Sequence, residues 1–247
     1  MNSSNDVNVK SNVKQFDTDV SETGSYAYTA DRLSSQFANA RISKAIADIY
    51  PFKGKRVLDV GCGDGAYTVE FAALGVASIH GVDPAGVAIE AANARAKRQG
   101  VQDIVQFSTG NVYELDPLLS EKTFDIIVLR GVLHHLPDPA RAVSNLENFP
   151  GAVLILEPNG LNPVVKVLEK VSRYHIEHEE RSFTPGTLRK WCKNAGFKIS
   201  ACRVINIVPF FCPDWMARTL RVFEPIVEKI PGLRAIGCGQ TILLAKR

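Results

Sequence analysis

Apolar residues recur at helical spacing from Asp31 to Ile49, through Leu33, Phe37, Ile42, Ala45, Ile46 and Ile49, and Pro51 ends the run. Lys55 to Val60 then reads as a short buried strand. Gly61, Gly63 and Gly65 follow at alternate positions, and a helical pattern begins at Ala66. A second strand, Ser78 to Val82, ends in Asp83. Pro84 to Gln99 reads as a helix with Pro near its start and Gly100 just past its end. Ile104 to Phe107, Phe124 to Leu129 and Ala152 to Leu156 are the next strands. Asp138 and Pro139 supply an N-cap and a first-turn proline for a helix to about Glu147. Thr184 and Pro185 open another helix to about Asn194, which Gly196 stops; strands follow at Phe197 to Ile205 and Cys238 to Ala245. Strands alternating with helices predict an α/β fold with a mainly parallel sheet and helices on both faces. Ligands of such sheets bind beyond the carboxyl ends of the strands, where the strand order reverses.

Two stretches exceed this plan. Residues 159–181 separate the fifth strand from the next helix, and residues 209–237 separate the last two strands. Loops of that length usually serve a site or carry their own helices, so both are expected to wall or cover an acceptor pocket. Residues 1–23 are polar and read as a mobile tail, leaving 24–247 as one domain. In the second stretch, Pro225 argues against one continuous helix. Its apolar residues, among them Phe210, Trp215, Leu220, Phe223 and Ile226, come with Arg218, Arg221 and Lys229. They suit a core, an apolar lid, or peripheral contact with a membrane through 209–230.

The glycine segment carries the chemistry. A strand that opens into a helix through glycines gathers backbone N–H groups and the helix dipole at one point, with no Cβ to hold a ligand off. Asp83, about twenty residues on, is placed to bond the two hydroxyls of a ribose. Gly61, Gly63 and Ala66 satisfy the dinucleotide pattern G-x-G-x-x-A, so a nicotinamide or flavin cofactor is one reading. Asp59, two residues before the first glycine, leans away from a pyrophosphate and toward a cationic or ammonium-bearing ligand. Cys62, Asp64 and Gly65 keep the loop acidic and open.

The run Val57-Leu58-Asp59-Val60-Gly61-Cys62-Gly63-Asp64-Gly65-Ala66-Tyr67 resembles the first motif of the class I S-adenosylmethionine (SAM)-dependent methyltransferases. His80-Gly81-Val82-Asp83-Pro84 is similar to their second motif, and Ser108 to Val112 resembles the loop bordering the adenine. Phe124 to Pro139 resembles the fourth-strand motif and its exit. The likeness covers about 41–157 and is nearest the small-molecule branch that includes ubiquinone-biosynthesis and sugar O-methyltransferases. It implies a seven-stranded doubly wound sheet of order 3-2-1-4-5-7-6 with the last strand antiparallel. It also implies SAM as cofactor and S-adenosyl-L-homocysteine as product. Cofactor contacts then fall to Asp59, Gly61, Cys62, Gly63, Gly65, Asp83, Pro84, Asn111 and Val112. Asn111 stands where many relatives have Asp. Arg130 stands where relatives often have a small or apolar residue, which puts a cation near the methionine end of the cofactor or near the acceptor. Tyr26, Tyr28 and Arg32 lie in a segment that folds over the cofactor in relatives, and Arg41 is placed to meet the methionine carboxylate.

Methyl transfer from a sulfonium to a hydroxyl needs a base, and histidine suits neutral pH. His134 and His135 follow the fourth strand at the mouth of the expected pocket. The resemblance implies a base in this pair, with His134 preferred; the alternative is a histidine that caps the loop or packs under the cofactor. Glu157, ending the fifth strand, is expected to orient a histidine or contact the acceptor. His175 and His178 sit among Glu177, Glu179 and Glu180; they suit a grip on the acceptor or a solvated helix end. No third ligand accompanies them, so no metal is expected.

Composition narrows the class. The 247 residues are 45% hydrophobic, and the scattered Cys62, Cys192, Cys202, Cys212 and Cys238 form no C-x-x-C pair. This fits a reduced, cytoplasmic enzyme without a disulfide or zinc framework; neither an apolar leader nor a membrane-spanning run is visible. The net charge of +3 is uneven. Residues 1–149 carry 14 Lys+Arg against 18 Asp+Glu, and residues 150–247 carry 15 against 8. The basic part is read as a solvated face, or as attraction for an anionic acceptor or membrane surface. Nucleic acid is not expected, because no recognition motif, arginine-rich run or stacking platform accompanies it. The leading expectation is O-methylation of a sugar, glycolipid precursor or prenylated ring. A non-catalytic SAM-fold partner subunit, a nucleic-acid methyltransferase and an oxidoreductase are the alternatives.

Overall fold

A computed structural model describes residues 32–172 and 181–247. The tail, Tyr26, Tyr28, His175, His178 and their neighbouring glutamates lie outside the described residues.

The chain runs α1 (Leu33–Ile49), β1 (Arg56–Val60), a 3-10 helix (Val69–Leu74), β2 (Ser78–Asp83), α2 (Gly86–Arg98), β3 (Val105–Thr109), α3 (Asp116–Glu121) and β4 (Ile126–Arg130). A 3-10 turn (Leu133–His135), α4 (Pro139–Ser144), β5 (Ala152–Pro158), α5 (Pro163–Val171) and α6 (Pro185–Asn194) follow. The chain closes with β6 (Lys198–Ile205), α7 (Asp214–Lys229), α8 (Pro231–Gly237) and β7 (Gln240–Lys246). Seven strands form one sheet, β3-β2-β1-β4-β5-β7-β6, with β7 antiparallel to both neighbours, as the motif resemblance implied.

Side chains alternate across the sheet with the two-residue period of a strand. Val57, Ile126, Val128, Leu154 and Leu156 pack on one face with Ile42 and Ile46 of α1. Leu58, Val60, Ile127, Leu129, Val153 and Ile155 pack on the other, with Ala142 and Val143 of α4 and Leu188 of α6. Continued past the core, this alternation puts Arg130 on the α1 side and Glu157 on the α4 side. The two ionic side chains at the strand ends therefore stand on opposite faces.

Four expectations are corrected. The segment from Ala66 is turn until Val69 and then a short 3-10 helix; Gly65 turns left-handed at φ +72° and Gly75 ends the helix at φ +70°. The helix after Asp138 stops at Ser144, although Asp138 caps it by accepting the Arg141 N–H at 3.0 Å. A short helix, α3, was not anticipated. Pro225 lies inside α7 instead of breaking it. It sits on the exposed side beside Arg221 and Ile226, where water can take the carbonyl that loses its N–H partner.

Candidate active site

Beyond the carboxyl ends of β1 and β4 lies a cavity of about 720 Å³. The β1–Val69 loop, the ends of β2, β3 and β4 and the 3-10 turn form one side. Residues from α5, the segment 206–213 and Met216 of α7 form the other.

The glycine loop is fixed by its backbone. Gly61 (φ +74°) and Cys62 donate to Val82 O at 2.8 and 3.1 Å, and Gly63 N–H donates to Asp83 Oδ2 at 2.9 Å. A Cβ on Gly61 would stand 2.5 Å from Val132 Cγ2, so only glycine fits there. Asp83 Oδ1 accepts the Ala85 N–H at 2.9 Å, so one carboxylate ties the loop to the start of α2. Asp64 is clamped by Arg95 of α2, Nη2 to Oδ2, at 2.7 Å. Asn111 uses Oδ1 for the Tyr113 N–H (3.0 Å) and its carbonyl for the Glu114 N–H (2.9 Å), which sets the turn after β3. Gly61, Cys62, Gly63, Asp83, Pro84, Asn111, Val112 and Arg130 all line the cavity.

Other expected cofactor residues lie away from it. Gly65 backs onto Phe107 and Ala92, where a Cβ would come within 2.8 and 2.9 Å. Asp59 is buried under the loop and accepts the Thr68 hydroxyl at 2.6 Å. Burial raises its pKa to about 6, with Thr68 and Arg130 pulling the other way. Arg41 reaches across to α7, Nε and Nη2 binding Glu228 at 2.9 and 2.5 Å, and does not line the cavity.

Arg130 sits in a cage that the sequence did not reveal. Its guanidinium lies 3.6 Å over the Tyr67 ring, with Ser43 Oγ at 3.2 Å, Asn39 Oδ1 at 3.4 Å and Glu70 Oε2 at 3.6 Å. Burial raises the Tyr67 pKa to about 12, with Arg130 opposing. The helical periodicity of α1 marked its apolar stripe, but Asn39 and Ser43 fall off that stripe and carry no motif.

His134 and His135 both line the cavity, with ring centroids 3.9 Å apart. Glu157, fully buried, lies behind them and does not reach the cavity. Its Oε1 accepts the Val132 and Leu133 N–H groups at 3.0 and 2.7 Å, and its Oε2 lies 2.6 Å from His134 Nδ1. A carboxylate accepts only, so Nδ1 carries the hydrogen and Nε2 is the basic nitrogen of the neutral ring. Among the described residues, no group of three or more His, Cys, Asp and Glu side chains is arranged to hold a metal ion.

The donor set fits SAM. A carboxylate at the end of β2, a glycine backbone open to the cavity and a buried cation at the end of β4 suit a ribose, an adenosyl group and a carboxylate in turn.

Comparison with known proteins agrees. Residues 34–201 match the family model described as "Methyltransferase domain". The chain is 27% identical over 213 residues to a ubiquinone biosynthesis O-methyltransferase of Neisseria meningitidis serogroup C, covering 76% of this chain and 85% of that protein. It is 28% identical over 179 residues to the protein of that name from Psychrobacter arcticus, covering 68% and 69%. Among solved structures, the [4+2]-cyclase SpnF matches with TM-score 0.66 at 21% identity over 97% of this chain and 94% of that one. Magnesium protoporphyrin IX methyltransferase from Synechocystis, with bound S-adenosyl-L-homocysteine, matches with TM-score 0.61 at 16% identity over 88% and 89%. These two likenesses show the fold. With the ordered motifs, the sheet order and the family match together, the chain belongs to the methyltransferase domain family and is a class I SAM-dependent methyltransferase.

Proposed function

We propose that this enzyme methylates a hydroxyl oxygen of a small molecule with an apolar body, such as a prenylated phenolic ring, with His134 as general base. The observation that carries the reading is the buried Glu157–His134 pair at the cavity wall, 2.6 Å between Oε2 and Nδ1. The opposite wall supports an apolar acceptor, since it presents Val164, Val165, Leu168, Phe210 and Met216. The O-methyltransferases among its relatives support oxygen as the target.

SAM, when bound, supplies an electrophilic methyl group and a neutral thioether leaving group. The backbone of Gly61 and Gly63 and the carboxylate of Asp83 would hold the adenosyl part, and the turn at Asn111 and Val112 would border the adenine. Arg130 would take the methionine carboxylate. His134 Nε2 would take up the proton that the acceptor hydroxyl loses and would release it to solvent before the next turnover. Glu157 keeps the ring in the competent tautomer and faces the imidazolium that results. The apolar wall holds the acceptor in line and excludes water.

The test incubates the enzyme with methyl-labelled SAM and three acceptors: a prenylated catechol, the same ring without its tail, and a free sugar. Label recovered as an aryl methyl ether, with the prenylated ring used best, is the expected result. Label on nitrogen or carbon, or SAM binding by calorimetry with no transfer to any acceptor, overturns the reading.

A further inference from the structure

We propose that the face built by α5, α7 and α8 docks on the surface of an anionic lipid bilayer, around the mouth of the cavity. Among the described residues, the large apolar side chains that stand strongly exposed are, Val87 apart, confined to residues 161–171 and 211–236. Their elements border one opening: Val164 of α5 and Phe211 line the cavity themselves, Met216 lines it from α7, and Asn162, the cap of α5, is tied to the end of α8 by Nδ2 donating to Gly237 O at 3.2 Å.

The helix α7 exposes an apolar stripe and turns two carboxylates inward. Trp215, Val222 and Ile226 share its outward face at spacings of seven and four residues, and they are 70%, 71% and 56% exposed. Its inward face carries two carboxylates. Glu224 accepts the Ile207 N–H at 3.1 Å, and Glu228 accepts the Asn206 N–H and binds Arg41. Ala217, Met216 and Leu220 pack inward beside these two carboxylates, so α7 is apolar on both its inward and its outward side. The outward stripe has no partner within this chain's described residues, which suits a neighbour that is apolar beyond a thin polar layer.

Charge selects the occupant. With Glu224 and Glu228 turned inward, the exposed ionic side chains of α7 are Asp214 at its start against Arg218, Arg221 and Lys229, so cations outnumber anions beside the apolar stripe. Lys170 lies next to the exposed Val171 on α5. Cations flanking Trp, Val and Ile match an anionic headgroup layer, where each basic residue adds attraction and the apolar groups enter the acyl boundary. The inference stands apart from the hydroxyl-acceptor reading, since lipid binding is measured without cofactor or acceptor.

The experiment uses the full chain with vesicles of phosphatidylcholine alone or mixed with phosphatidylglycerol. The chain has two tryptophans, so Trp191→Phe leaves Trp215 as the reporter. We expect cosedimentation with the mixed vesicles that weakens with salt, and a blue shift of Trp215 emission. Replacing Trp215 and Val222 together by Glu is expected to reduce binding about tenfold or more, because it removes two apolar groups from the stripe and adds two like charges against the anionic headgroups. Both sites are exposed, so the variant keeps its fold, checked by an unchanged affinity for SAM. Absence of cosedimentation and of the emission shift overturns the proposal. So does a dimer in vesicle-free solution that the same double variant dissociates, which makes the face an interface between copies of this chain.

Discussion

Glu157 Oε2 and His134 Nδ1 are 2.6 Å apart, and the same carboxylate accepts the N–H groups of Val132 and Leu133. One buried side chain thus both shapes the turn after β4 and orients the ring that the turn presents. Replacing His134 by Ala is expected to lower kcat by about 10²–10⁴ while the Kd for SAM holds. Replacing Glu157 by Ala leaves buried N–H groups without their acceptor, so it is expected to lower kcat and also cost about 3 kcal/mol of stability. Stopped-turnover kinetics and thermal unfolding on both variants separate the two effects.

Gly61→Ala meets Val132 Cγ2 at 2.5 Å in a backbone with φ +74°. Val132 cannot retreat freely, because its N–H is held by Glu157. The variant is expected to bind SAM about tenfold more weakly and to lose about 1–3 kcal/mol of stability. Gly86→Ala is the control: φ is ordinary there and no atom lies within 4 Å of the added Cβ. It is expected to be neutral or to stabilise by about 0.5 kcal/mol, read by calorimetry on the same preparation.

Arg130→Met removes the cation from the Tyr67, Ser43, Asn39 and Glu70 cage. SAM affinity is expected to fall about tenfold or more, whereas decarboxylated SAM binds wild type and variant alike. Isothermal titration with the two ligands reads this directly. Equal losses for both ligands would mean that the cage only supports the loop. Arg130→Lys keeps the charge but not the planar stack, and an intermediate loss is expected.

Two buried groups give opposite pH signatures. His80 has its pKa lowered to about 4 by burial and by Lys122, from 6.5. The unfolded chain therefore takes up a proton that the native state refuses, and stability falls as pH drops from about 6.5 to 4. Asp59 is raised to about 6 from 3.8, so the native state keeps a proton that the unfolded chain releases, and stability falls as pH rises through that window. His80→Gln is expected to lose less stability than wild type on acidification from about pH 7.5 to about pH 4.5. Asp59→Asn is expected to gain on wild type more at the higher pH than at the lower. Thermal melts at the two pH values check both slopes.

The strands, the glycine loop and the histidine doublet were legible because each leaves a local mark: an apolar run, glycines in register, or a pair after a strand; the order of the strands followed from the motif resemblance. The arrangement around Arg130 was not legible. Its partners come from α1, from the turn before the 3-10 helix and from that helix itself, and nothing in the spacing of Asn39, Ser43, Tyr67 and Glu70 announces that they converge. Arg41 was read as a cofactor contact because α1 borders the site, but its side chain points to Glu228, which lies 187 residues away. Pro225 failed as a helix breaker because its position on the exposed side of α7 was a tertiary fact. For Glu157, read as orienting a histidine or contacting the acceptor, alternation with Val153 and Ile155 puts the side chain under the turn, beside His134.

The cavity divides along the chain: residues 60–137 supply one side and residues 156–240 supply most of the other. On the proposed reading, most of the donor's contacts and the apolar lining for the guest are inherited on separate stretches of the gene. Changes in the later stretch can retarget the catalyst while its earlier stretch goes on gripping the same donor. A family built this way diversifies by rewriting one bank of the cleft.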